Sequence, residues 1–362
     1  MTWPRRGLIA ALSLCAVVCT ACGSSHPSGP PWLGLDYNSL PGIGQLTQFV
    51  AHRIVYDREG NIEPQAGALA TVGSKLWRGV RTSLGAGMVP DLEIDQDPAP
   101  GCMATRGCLP VGTAAIASYV RGFVATAQSV LRAFPDHQLL FEPMDEPWDL
   151  NPSGPDRQAA ATYAAVLSVL LPAIERARDP SIPLDRVYVP ATGRLSDSTN
   201  WLADLYDAQP CLRPGPATCG PVAGWNVHIY GLPGAIEGGI GALPGLRAQM
   251  ASGEDNVVVS ELGFCALDVQ AGTACDHNTP TVDGSSRQVS AWLSETLDEA
   301  ATMHRAGWLK AVLVWARASG GWSMQLPDGA LTAQGRALVE FSDSAAARES
   351  PVRSGGPTHL AG

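Results

Sequence analysis

The stretch QLLFEPMDE at residues 138–146 opens apolar and closes acidic. Leu139, Leu140 and Phe141 ask for burial, while Glu142, Asp145 and Glu146 crowd the far end around Pro143. An apolar run with a polar tip fits a strand of a parallel sheet that helices cover on its outer side. Working outward, the same pattern recurs at Trp32–Asn38, Arg53–Asp57 and Met88–Asp95 before it. After it come Arg186–Ala191, Gly224–Tyr230, Asn256–Leu262 and Lys310–Ala316. Amphipathic stretches at helical spacing lie between them, clearest at Ala66–Leu84, Thr113–Phe134, Arg157–Arg178, Ser286–Gly307 and Thr332–Phe341. Gln45–His52, after the first strand, is the shortest of these segments. Eight strand and helix units with no shift of composition predict an α/β fold, a (β/α)8 TIM barrel. The rival is an open doubly wound sheet, which more often carries a glycine-rich phosphate turn after its first strand. LDYNSLPGIG at residues 35–44 is not such a turn.

The flanks speak of export. Arg5 and Arg6 precede an apolar run, Gly7–Val18, too short to span a bilayer comfortably. It ends in Cys19-Thr20-Ala21-Cys22 before Gly23-Ser24-Ser25, which resembles a bacterial lipoprotein signal over residues 1–21 with Cys22 lipidated. An ordinary secretory peptide cleaved nearby is the alternative. Residues 22–31 read as a tether, 32–341 as the barrel and 342–362 as a disordered tail. The remaining six cysteines fall into local pairs: Cys102 with Cys108, Cys211 with Cys219, and Cys265 with Cys275. Six allow 15 connectivities, and the short intervening loops favour nearest-neighbour disulfides in an oxidising compartment. The net charge of −10, without a Lys/Arg block, argues against nucleic acid. Membrane contact is expected only through the lipid anchor.

A barrel of this kind places its chemistry at the C-terminal ends of its strands. There the sequence sets Asp36-Tyr37-Asn38, Glu93 and Asp95, Asp145-Glu146-Pro147-Trp148, His228-Ile229-Tyr230, Ser260-Glu261 and Trp315. Carboxylates and amides bind hydroxyl groups and aromatic faces stack on sugar rings, so this rim points to a carbohydrate partner. Strand alternation puts Glu142, Met144 and Glu146 on one face, Asn226, His228 and Tyr230 on another, and Val257, Val259 and Glu261 on a third. If these faces point inward, Glu146 and Glu261 meet across the mouth. Two carboxyls about 5–5.5 Å apart suit retaining glycoside hydrolysis, one attacking the anomeric carbon and one protonating the leaving oxygen. Glu142 is expected to be a structural ion-pair partner, and Glu93 and Asp95 rim hydrogen-bonding groups. Trp148 and Trp322 either stack on substrate or pack loops.

The motif FEPMDEP at residues 141–147 resembles the strand-four signature of clan A glycoside hydrolases, above all family 5, where the form is F-E-x-x-N-E-P. VVSELG at 258–263 is similar to the clan's strand-seven nucleophile motif, His228-x-Tyr230 to its strand-six pair, and Trp315 to its strand-eight tryptophan. The resemblance implies Glu146 as acid/base, Glu261 as nucleophile and Arg53 as the strand-two arginine beside the nucleophile. Asp145, His228, Tyr230 and Trp315 on these motifs, with Asn38 and Trp148 on the same rim, are expected to bind substrate. Two departures stand out: Asp145 replaces the usual asparagine, and the third strand lacks the histidine common in family 5. An ionised aspartate only accepts hydrogen bonds, so the contact to the sugar 2-hydroxyl is altered. The expectation is therefore a retaining β-glycosidase needing no metal, nucleotide or other cofactor. A catalytically weak or inactive carbohydrate-binding lipoprotein on the same barrel is the alternative, and transglycosylation by the same residues a third reading.

Overall fold

The computed structural model describes residues 32–37, 56–62, 70–95, 109–144, 146–147, 157–177, 188–194, 198–213, 219, 223–235, 238–250, 256–266, 284–316, 321–326 and 328–344. The leader, Cys22, the tether, the Gln45–His52 segment and the tail after residue 344 lie outside them. The described chain runs β1 (Leu33–Tyr37), β2 (Tyr56–Ile62), α1 (Lys75–Gly85), β3 (Val89–Ile94), α2 (Thr113–Ala133), β4 (Leu140–Pro143) and α3 (Arg157–Arg176). It continues through β5 (Tyr188–Arg194), α4 (Ser198–Ala208), β6 (Gly224–Ile229), α5 (Leu243–Met250), β7 (Val257–Leu262), α6 (Ser286–Arg305), β8 (Leu309–Ala316) and α7 (Ala333–Asp343).

The strands pair in parallel in the order β4-β3-β2-β1-β8-β7-β6-β5. Apart from the break between β4 and β5, this is chain order with β1 beside β8, which a doubly wound open sheet does not show. The two ends of the order, β4 and β5, come against each other. The sheet thus curls into the (β/α)8 barrel. Its strands sort their side chains by alternation: Ala311 and Leu313 of β8 join Leu140 and Val258 in a small inner cluster. Val312 and Val314 turn outward into the large core beneath the helices, with Phe123 and Val130 of α2, Tyr163 and Leu167 of α3, and Leu293 and Leu297 of α6. Phe123 is fully buried there. Phe123→Ala should cost about 3–5 kcal/mol, read as a lowered midpoint in urea unfolding.

Several boundaries move from those the periodicity predicts, each for a local reason. The helix expected from Ala66 begins at Lys75, because Gly73 takes φ 86° and the Ser74 hydroxyl caps the new end by accepting from Trp77 N–H. The helix expected to reach Gly307 stops at Arg305, and that glycine takes φ 88° beyond it. Its start carries a reciprocal cap between Ser285 and Gln288. The described part of β2 lies later than the expected Arg53–Asp57, at Tyr56–Ile62, and Arg53 itself is outside the described residues. Helices α4 and α5 complete the alternation where periodicity was faint. They are short, and their buried residues are few: Trp201, Leu202, Leu205 and Tyr206 on one, Leu243, Leu246 and Met250 on the other.

Candidate active site

At the end of β4 the chain leaves the sheet abruptly. Met144 and Glu146 hold φ of 69° and 34°, a left-handed backbone that non-glycine residues adopt at a cost of about 1–3 kcal/mol each. Neighbours hold this turn in place. Met144 N–H donates to Ile94 O of β3 at 3.1 Å, and the Tyr163 hydroxyl of α3 donates to Pro143 O at 2.9 Å. A matching bond at the end of β3 runs from the Tyr119 hydroxyl of α2 to Ile94 O at 2.8 Å. Burial pushes the pKa of both phenols well above the ordinary tyrosine value, so they remain donors. The expected common face of Glu142, Met144 and Glu146 does not survive the turn. Leu140 belongs to the inner cluster, yet Met144 packs in the outer core, and the break at Pro143 sends Glu146 to the mouth by its own path.

Strand β7 departs from simple alternation too. Val257 and Val259 lie in the outer core and Val258 in the inner cluster, the reverse of the expected assignment. Between β6 and β7 the register passes from Val227↔Val259 to His228↔Glu261, leaving Ser260 as an extra residue. This β-bulge resets the alternation and brings Glu261 inward with Val258 rather than outward with Val259. On β6 no such break intervenes: Trp225, Val227 and Ile229 face the outer core. Asn226, His228 and Tyr230 therefore share the opposite face, as their spacing predicts.

Three side chains then converge. His228 Nδ1 lies 2.9 Å from Glu146 Oε1 and 3.3 Å from Glu261 Oε2. With one oxygen from each carboxylate, that ring nitrogen forms a set whose members are all within 4.8 Å of one another. Glu146 is the most open of the three, at 12% side-chain exposure against 2% for His228 and 5% for Glu261. The Tyr230 hydroxyl donates to Glu261 Oε2. Burial, then the carboxylates of Glu261, Glu146 and Asp36, push the Tyr230 pKa well above the ordinary value. It is therefore a neutral donor throughout the working range of pH.

An aromatic wall backs this group. Trp315 and Trp322 both stand edge-on to Tyr230, at centroid distances of 5.6 and 5.8 Å, and lie 4.7 Å from each other. Gly263 makes the packing possible, since a Cβ there would sit 2.8 Å from the Trp322 ring and 3.2 Å from the Tyr230 ring. Behind the wall, buried Cys265 packs with the three rings and is disulfide-bonded to a partner outside the described residues. Cys211 and Cys219 form the expected bond; Cys102, Cys108 and Cys275 are outside the described residues.

Of the other residues singled out by sequence, Asn38, Arg53, Asp145 and Trp148 lie outside the described residues. Asp36 was passed over in favour of Asn38, although it is fully buried, sits in register with Trp315 and acts on Tyr230. Its position at a strand end was the available signal. The described part of β2 supplies Arg58, in register with both Asp36 and Asp91, and β5 supplies Arg194, in register with His228. Glu93 and Asp95, expected on the rim, are buried, and Glu93 is in register with Glu142.

No family model matches the sequence, and no curated protein matches it. Solved structures do match, glycoside hydrolases of family 5 among them. A family 5 xyloglucanase from Paenibacillus pabuli is 13% identical, over 87% of this chain and 98% of its own, with a TM-score of 0.56. A broad-specificity endoglucanase of family 5 from an uncultured bacterium is 13% identical, over 91% and 96%, with a TM-score of 0.52. A family 5 enzyme from Prevotella bryantii, solved with a xyloglucan tetradecasaccharide, is 11% identical over 88% and 98%, with a TM-score of 0.51. What this chain shares with them is the (β/α)8 barrel fold.

Proposed function

We propose that this chain is a retaining glycoside hydrolase acting on β-linked oligo- or polysaccharides, with Glu261 as nucleophile and Glu146 as acid/base. The observation that carries the reading is the pair of glutamates at the ends of β4 and β7, joined through His228 within 4.8 Å at the barrel mouth. That spacing supports retention, because inversion needs about 6.5–9.5 Å to seat a water between the carboxyls. In the first step a Glu261 oxygen bonds to the anomeric carbon while Glu146 gives its proton to the departing glycosidic oxygen. In the second, Glu146 takes a proton from water as the water oxygen displaces Glu261, so two inversions restore the β configuration. Tyr230 holds one Glu261 oxygen by its hydroxyl, leaving the other to attack. We assign Trp315, together with Asn38, Arg53, Asp145 and Trp148, to sugar binding.

The neighbours' xyloglucanase and endoglucanase activities make soluble β-glucans and xyloglucan the first substrates to try. The test is proton NMR of the earliest reducing ends released from such a panel. The β-anomer should appear first and mutarotate later. An initial α-anomer would overturn retention, and binding without cleavage of any glycan would favour a carbohydrate-binding protein. Tyr230→Phe should lower kcat about 10²-fold with a smaller change in KM, since it removes one fixed donor from the reacting carboxylate. We also read the chain as an exported lipoprotein anchored through Cys22 on the extracytoplasmic side; the Cys211–Cys219 disulfide supports the export in that reading and does not bear on the anchor.

A further inference from the structure

We propose that Glu146, His228 and Glu261 also form a binding site for a zinc-class divalent cation, which occupies the barrel mouth in competition with the sugar. The donor set is two carboxylate oxygens and one imidazole nitrogen, a combination that zinc takes in open, three-ligand sites. The spacing fits. Ligand bonds of about 2.0–2.1 Å place tetrahedral donors about 3.3–3.4 Å apart. Two edges of this triangle measure 2.9 and 3.3 Å, both at His228 Nδ1. The third, between the carboxylates, lies within 4.8 Å. Metal binding requires it to close, and Glu146, the most exposed member of the set, is the side chain with room to move.

Charge points the same way. Once Glu146 gives up its proton as the metal binds, the trio offers two carboxylates and an imidazole nitrogen, and one divalent cation balances their charge in a site where His228 and Glu261 are almost wholly withdrawn from water. Tyr230 adds a second-sphere contact, since its hydroxyl holds the same Glu261 oxygen that faces His228. Glu146, partly exposed, is the member through which the trio meets solvent. An ion held there ties up the attacking carboxylate and the proton-donating one together, so turnover stops while the metal is bound. Magnesium, which prefers six oxygen ligands and keeps its waters, does not suit the imidazole-containing trio. The consequence for turnover rests on the glycosidase reading above; the binding itself does not.

The experiment is calorimetric titration of ZnCl2 into the full chain, with MgCl2 as control. Wild type should take up one equivalent of Zn2+ saturably, and Glu261→Gln and His228→Gln should each bind at least about tenfold more weakly. Equal binding by wild type and both variants, or none by wild type, overturns the site. Should a variant fail to fold, crystals of wild type soaked in ZnCl2 decide the matter. An anomalous zinc peak between the three side chains supports the proposal, and peaks elsewhere alone overturn it. Glycan cleavage should fall competitively with added Zn2+ and return with EDTA. Cleavage indifferent to Zn2+ removes this site and leaves the glycosidase reading standing. Zinc bound at the trio of a protein that cleaves no β-glycan does the reverse.

Discussion

Glu261→Ala should lose at least about 10⁴-fold in kcat on every cleavable glycoside, the expected scale for removing an attacking group. The more telling result is stereochemical. With the carboxylate gone, a cavity opens on the face from which Glu261 attacked, and azide can enter it. Azide then displaces the leaving group once, so a β-glycoside with a good leaving group should give an α-glycosyl azide. Isolation of the product and its anomeric coupling constant check this. Unchanged turnover in Glu261→Ala would remove the carboxylate from the mechanism altogether. The buried neighbours Tyr230 and His228 remain, so the variant keeps its surrounding hydrogen-bond donors and should fold.

Glu146→Ala should behave as the mirror of that variant. Loss of the proton donor slows cleavage of poor leaving groups by about 10²–10⁴-fold, while aryl glycosides whose phenolate leaves unaided form the glycosyl-enzyme almost normally. That intermediate then accumulates, because nothing activates the water that resolves it, and pre-steady-state kinetics should show a burst. Azide needs no base, and it attacks the intermediate from the opposite side to Glu261. The product is a β-glycosyl azide. Opposite azide anomers from two single substitutions would assign both roles at once, and equal anomers would refute the assignment.

The sequence was legible where burial dictates pattern. Eight apolar runs with polar tips were enough to predict the barrel, since parallel strands covered by helices leave no other place for Val257, Val258 and Val259 in succession. The two glutamates were legible because a carboxylate at the end of such a run demands an explanation. Side-chain direction was harder to read. Alternation placed Glu261 on the face of Val259, and the extra residue Ser260 reversed that relation. It grouped Glu146 with Met144, and the left-handed turn after Pro143 separated them. Both errors arise from a one-residue irregularity, and a period-2 pattern carries no mark of where it will slip. The supporting tyrosines were hidden for another reason. Tyr119 and Tyr163 sit on apolar helix faces like any core aromatic, and only the fold reveals that their hydroxyls reach the carbonyls that end β3 and β4.

The turn that carries Glu146 also sets stability against activity within one short segment. Each left-handed residue there raises the energy of the folded chain, and glycine would relieve that at either position. At 144 the gain would be offset by the loss of a side chain fully buried in the core. At 146 the side chain is partly exposed, and what glycine would delete is the group proposed as proton donor. A lineage selected only for robustness would drift toward a sturdier barrel with a silent mouth. On the proposed mechanism, glutamate at 146, held on a backbone that does not favour it, places chemistry ahead of stability in the conformation as well as in the residue.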